Sequence, residues 1–252
     1  MTKTVSIRRD LAQYIDNDKQ QILPKFFKTG KGEYGEGDKF LGITVPNIRK
    51  VAKCFLEVDF DALRELLHSP WHEERMCALL IMVEQFKLTQ KKSWIKSHSI
   101  QEGENIRRKY NELYLAHTQF VNNWDLVDLT APTLVGSYLI NKEHHKIYEL
   151  AHSKNLWEQR IAVVSTLTFI KQKDFDDIYA LAELLLHHPH DLMQKAIGWM
   201  LREAGKQDKN KLVAFLELHA PEMPRTMLRY SIEKFSEDER HYFMKKTWKP
   251  SN

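Results

Sequence analysis

The 252 residues include 42% hydrophobic and 29% charged side chains, a composition suited to one large globular domain or a stacked repeat array with a substantial core. The formal charge of +4 is too small to mark a nucleic-acid binder by itself, but it is unevenly placed: from Leu192 to Asn252 twelve Lys and Arg stand against eight Asp and Glu, so 12 − 8 = +4 and the last quarter holds the whole excess. The opening MTKTVSIRRDLAQYID has no apolar signal centre, and no stretch reaches the roughly 18 uninterrupted apolar residues of a membrane span, so secretion and membrane insertion are disfavoured and a cytoplasmic protein is predicted.

Along the chain, apolar residues recur at three- and four-residue spacing, as in Leu63, Leu66 and Leu67 or Ile147, Leu150 and Ala151, and strand-like alternation is scarce. An all-α class follows, with one domain over residues 1–252 and degenerate helical pairs over about 45–246. The stretch from Lys28 to Gly42 carries five of the nine glycines and no helical period, which predicts a loop, ordered or mobile. Pro46 suits the first turn of a helix running through Val58. Cys54 and Cys77 fall in apolar helical stretches without a CxxC pair, which predicts two buried, reduced thiols. Further on, Asp191 with Gln194 resembles a capping box opening a helix Leu192–Glu203, and Gly205 suits its stop.

Several of these helices share a motif in which a basic residue opens an apolar run: WHEERMCALL at 71–80, WEQRIAVV at 157–164 and QKAIGW at 194–199. Trp124 to Arg160 is 36 residues, Arg160 to Lys195 is 35 and Lys195 to Arg229 is 34, a period that suits paired-helix repeats, while the 49 residues from Arg75 to Trp124 suggest an insertion. Such pairs cannot bury their apolar faces alone, so they are expected to stack into a curved solenoid, an α-α superhelix with a concave groove.

Four groups of residues could carry function. In NNWDLVD, Trp124 and Asp128 stand four apart and share a helical face, either as an aromatic plane beside a working carboxylate or as a buried Trp behind an N-cap at Asn123 or Asp125. Arg160 follows Trp157, and Lys195 precedes Trp199 and Arg202, at three- or four-residue spacing; the arginine opening each repeat either lines a basic, aromatic groove or pairs with a neighbouring repeat. Arg225 and Arg229 would extend that groove or form a solvated face. His144-His145 and HHPH at 187–190 lack a partnered ligand pattern, so no metal is predicted, and no phosphate-loop or acyl-transfer motif is present.

FLGITVPNIRKVAK, VNNWDLVDLTAP, LWEQRIAVVSTL and DLMQKAIGWMLREAGK together resemble the AlkD-like DNA alkylation repair family, over roughly Phe26 to Phe235. The resemblance implies HEAT-like repeats and cofactor-free excision of N3- and N7-alkylated purines from double-stranded DNA. It places the catalytic carboxylate on Asp128, the two lesion-facing tryptophans on Trp124 and Trp199, and the phosphate-binding arginine on Arg160. It further implies that the lesion lies against an open surface. Lys195, Arg202, Arg225 and Arg229 are expected to add phosphate contacts. A monomer is expected, since no heptad seam is present. Two other readings remain open: a non-catalytic repeat protein that binds branched or distorted DNA, and a protein-interaction scaffold.

Overall fold

The computed structural model describes residues 2–245, and within them the chain is all-helical, with a single isolated β-bridge between Lys39 and Trp71. Residue 246, where the repeats are expected to end, lies outside the described residues. Among the described residues no helix is long and apolar enough to cross a membrane. The chain divides into two compact units, the first ending at Leu134 and the second beginning at Val135.

In the first unit the helix His72–Leu88 is the core. It lacks a polar face: from Arg75 to Val83 every residue is buried, which marks a helix enclosed on all sides. Val45–Cys54, Phe60–Leu67, Ile100–Ala116 and Trp124–Ala131 pack around it. Enclosure has a cost at its N-terminal end, where His72, Glu73, Glu74 and Arg75 are carried into the interior and must each find a partner. Glu74 meets Arg8 at 2.9 Å from the helix Lys3–Ala12, and the other three build the site described below.

The glycine-rich segment is an ordered loop docked onto that same end. Lys39 donates to the Pro70 carbonyl at 3.3 Å and accepts from the His72 amide at 2.8 Å. Gly42 has φ +81°, and a Cβ there would lie 2.1 Å from the Asp16 carbonyl oxygen, so only glycine fits.

The second unit shows the expected pairing. Its second helices begin at Leu156, Asp191 and Arg225, so that 191 − 156 = 35 and 225 − 191 = 34. Arg160, Lys195 and Arg229 each stand four residues into their helix, so the basic residue keeps one register in three successive pairs. The helix Asp191–Gln207 is central here, packing on Leu156–Ser165, Asp176–Leu184, Lys209–His219 and Arg225–Ser231.

Four local expectations need correction. The helix opened by Pro46 ends at Cys54, short of Val58, and Cys54 is exposed; Cys77 alone is buried, and burial pushes its thiol up to about 12. The cap of Asp191–Gln207 is His190, whose Nδ1 accepts from the Leu192 amide at 3.1 Å, while Gln194 reaches back to the His188 carbonyl. Gly205 lies inside that helix, and a Cβ there would meet Leu212 Cδ2 at 2.3 Å, so it serves close packing.

Gly198, in the same helix, is tighter against backbone. A Cβ would come within 2.5 Å of both the Met227 carbonyl oxygen and Tyr230 Cβ. Gly198→Ala is therefore expected to destabilise the protein by about 1–3 kcal/mol in urea unfolding, since the overpacking outweighs the roughly 1 kcal/mol gained in helix propensity.

Candidate active site

The short helix Trp124–Ala131 starts at Asn123, whose Oδ1 accepts from the Trp124 amide at 2.9 Å. Capping uses the Asn123 side chain, and Trp124 and Asp128 follow on the helix that it opens. Both are half-buried, and both line one cleft of about 390 Å3 within the first unit. The resemblance implied an open surface, whereas these two residues stand in a walled depression. Its walls are mostly apolar, with Leu23, Ile43, Ile48 and Met76 among them.

Trp124 is held by aromatic neighbours. The Phe27 ring stacks on it at 5.5 Å with planes 23° apart, and Phe26, 60% exposed, meets it edge-on at 6.0 Å. Phe27 in turn stacks on Phe40 at 4.9 Å. Asp128 is near enough to Tyr114 to act on it: burial pushes the Tyr114 phenol up, and the Asp128 charge adds to the rise against an opposing Thr130 hydrogen bond.

Beneath the cleft lies a buried network that spacing alone did not disclose. His72 Nδ1 donates to Asp38 Oδ2 at 3.1 Å, and Nε2 donates to Asp125 Oδ2 at 2.9 Å. Arg75 donates to Asp38 at 2.6 Å, to Asn122 at 3.1 Å and to the Ser69 carbonyl at 2.9 Å. Asn122 also donates to Asp38, at 2.9 Å. Two carboxylates and two cations are therefore balanced in the interior, as buried charge requires. Burial by itself disfavours the charged imidazole, but the Asp125 charge and hydrogen bond, together with that from Asp38, raise its pKa to about 9 against the opposition of Arg75. Burial would likewise raise the Asp38 carboxyl, yet the His72 hydrogen bond and the Arg75 charge hold it below its ordinary value.

The sign of the resulting pH dependence follows from linkage. A group whose folded value is raised from 6.5 to about 9 contributes fully below 6.5 and loses its contribution as pH climbs through about 9. The loss is on the order of 3 kcal/mol. The urea midpoint should fall across that window, and His72→Gln should flatten this part of the curve.

Glu73 closes the other side of the cleft. Its carboxylate accepts from the backbone amides of Leu41, Gly42 and Ile43 at 2.9, 2.8 and 3.2 Å, anchoring the end of the glycine-rich loop. The one sequence signal for this assembly was the polar HEER run heading an otherwise apolar helix.

The remaining predicted residues lie in the second unit. Arg160 is buried, and its Nη1 donates to the Leu192 carbonyl at 2.5 Å, so it ties its own helix to the start of the next repeat's second helix. On that helix Trp199 is half-buried, Lys195 pairs with Asp191 at 2.6 Å, and Arg202 pairs with Glu203 at 3.2 Å and with Glu233. Burial tends to raise the Glu203 carboxyl, but Lys206 and Arg202 hold it below its ordinary value. Arg225 and Arg229 are exposed, with Arg225 donating to the Met244 carbonyl at 2.7 Å. Among the described residues, no group of three or more His, Cys, Asp or Glu is placed to hold a metal ion.

Comparison with known proteins adds two findings. Residues 7–235 match the model of a family described as DNA alkylation repair enzyme. Among solved structures, a predicted DNA alkylation repair enzyme from Enterococcus faecalis is similar, with a TM-score of 0.62 and 16% identity, covering 88% of this chain and 97% of that one; at that identity the likeness speaks for the fold. No curated protein matches the chain.

Proposed function

We propose that this chain, which belongs to the DNA alkylation repair enzyme family, is a monofunctional DNA glycosylase that removes positively charged N3- or N7-alkylated purines from double-stranded DNA. The observation that carries this reading is the placing of Asp128 and Trp124 together on one aromatic-walled cleft.

Alkylation at N3 or N7 leaves the purine cationic and already a good leaving group, so the enzyme need not protonate it. The C1′–N9 bond breaks, its electron pair neutralises the purine, and positive charge builds on the sugar. Asp128 stabilises that charge and orients a water, whose oxygen bonds to C1′ as its proton passes to the carboxylate. The indole of Trp124, backed by Phe27, offers a π face to the cationic sugar or base. Trp199 is assigned a like role on the family resemblance.

Lys195, Arg202, Arg225 and Arg229 are proposed to contact phosphates. Arg160, donating from a buried position, acts in this reading by holding the N-terminal turn of the helix that carries Lys195 and Trp199. The working form is a monomer in the cytoplasm that needs no metal or cofactor.

The test is release of free base from a duplex carrying N7-methylguanine, by wild-type protein and by Asp128→Asn. Release by the wild type that the variant loses supports the assignment. Tight binding to branched DNA with no base released by the wild type would favour the non-catalytic alternative.

A further inference from the structure

Resting on the glycosylase reading, the geometry points to His72 as a positioning residue for excision: clamped between Asp38 and Asp125, it fixes the rotation of the helix Trp124–Ala131 and takes up the charge of Asp125, so that Asp128 is the carboxylate that meets the sugar and the water.

The argument begins with the helix itself. Trp124–Ala131 runs directly into the π-helical turn Pro132–Gly136, and which way its faces point is set by tertiary contacts rather than by its own hydrogen bonds. At about 100° per residue, Asp128 lies about 40° from Trp124 and about 60° from Asp125, and therefore between them on the helix surface. Both flanking positions are held. Phe27 stacks on Trp124 on one side, and His72 holds Asp125 on the other. Asp125 also accepts from the Leu126 amide at 2.8 Å through its second oxygen, so the clamp reaches the helix backbone. Rotation about the helix axis would disturb one clamp or the other, and both keep Asp128 on the cleft.

His72 itself has little freedom. The rings of Phe27 and Phe40 lie against the imidazole at 5.1 and 4.7 Å, and its side chain is 3% exposed. The charged groups around it are Asp38 from the glycine-rich loop, Asp125 from the clamped helix and Arg75 from its own helix. Glu73 and Asp128 line the same cleft, Glu73 being held by the loop amides.

Both ring nitrogens face carboxylate oxygens, so both contacts are hydrogen bonds only while the ring carries two protons. Loss of one proton turns a contact into a lone pair against a carboxylate, and the clamp opens on one side. The clamp is therefore intact at neutral pH and weakens as the solution passes about 9. Two carboxylates three residues apart on one helix thus take different tasks, Asp125 as a structural counter-ion and Asp128 as the working group.

The experiment is single-turnover release of N7-methylguanine from a methylated duplex, with enzyme-free release subtracted, from about pH 7 to about pH 10. Wild type, His72→Gln, Asp125→Asn and Asp128→Asn are compared. The wild-type rate should fall with a midpoint near 9. His72→Gln should lower the saturating rate at neutral pH by about ten- to a hundredfold with little change in half-saturating enzyme concentration, and should lack the alkaline limb. Asp125→Asn should also lower the rate at neutral pH, and its alkaline limb should move to lower pH, because the Asp125 charge is the chief cause that raises His72. A merely structural role would reduce stability but leave the limb in place, which would overturn the proposal.

Wild-type rate and pH profile in His72→Gln, beside an inactive Asp128→Asn, would overturn the positioning role and leave the glycosylase reading standing. Absence of wild-type release would overturn both. Should His72→Gln fail to fold, the wild-type profile decides alone, because a rate that stays flat through about pH 10 is incompatible with the clamp.

Discussion

Asp128→Asn is expected to lower the single-turnover rate of N7-methylguanine release by about a hundred- to a thousandfold, the usual consequence of removing one group aimed at charge that develops in the transition state. Asn has nearly the shape of Asp, and Asp128 is half-buried on a helix whose orientation is set by Trp124 and Asp125, so the urea midpoint should barely move. Duplex affinity should hold or tighten slightly, because the change removes a negative charge from a site that meets a polyanion. That combination, a lost rate with retained fold and binding, is what separates a working carboxylate from a buried counter-ion. A variant that released base at the wild-type rate would remove Asp128 from the mechanism.

Glu73→Ala is expected to produce the largest loss of stability. The substitution strands the buried amides of Gly42 and Ile43 and the part-buried amide of Leu41, and at roughly 1 kcal/mol or more for each unsatisfied donor the cost is about 3 kcal/mol. The effect should reach the site, since Phe40 and Ile43 form part of the cleft and Phe40 stacks on both Phe27 and His72. Hydrogen exchange at residues 41–43 should accelerate, and base release should fall with it. Glu73→Gln, which keeps one acceptor oxygen, should lie between wild type and Ala. Unchanged exchange at these amides in Glu73→Ala would show that the loop is held by other contacts.

These expectations draw unequally on sequence and structure. Trp124 and Asp128 were legible because their relation is local: four residues along a helix place two side chains on one face whatever surrounds them. The paired-helix register was legible for the same reason, since a basic residue recurring at a near-constant interval reports one position in a repeated unit. Gly205 shows where local reasoning stops, because a helical glycine can end the helix or admit a neighbour, and only the position of Leu212 decides. Cys54 shows the same limit at a helix end, where period alone did not tell which side met solvent.

From the sequence alone come the all-helical class, the repeated pairs with their basic register, the family resemblance, and the aromatic-acid couple at Trp124 and Asp128. Tertiary structure decided what Arg160 touches, how the glycine-rich loop is anchored, and that His72 joins Asp38 and Asp125. Those partners lie 34 and 53 residues from His72, and no periodicity links them. Side-chain spacing along a helix is dictated by backbone geometry. The partner of a buried charge is dictated by which distant segments the core brings together, and that is settled only when the chain has folded.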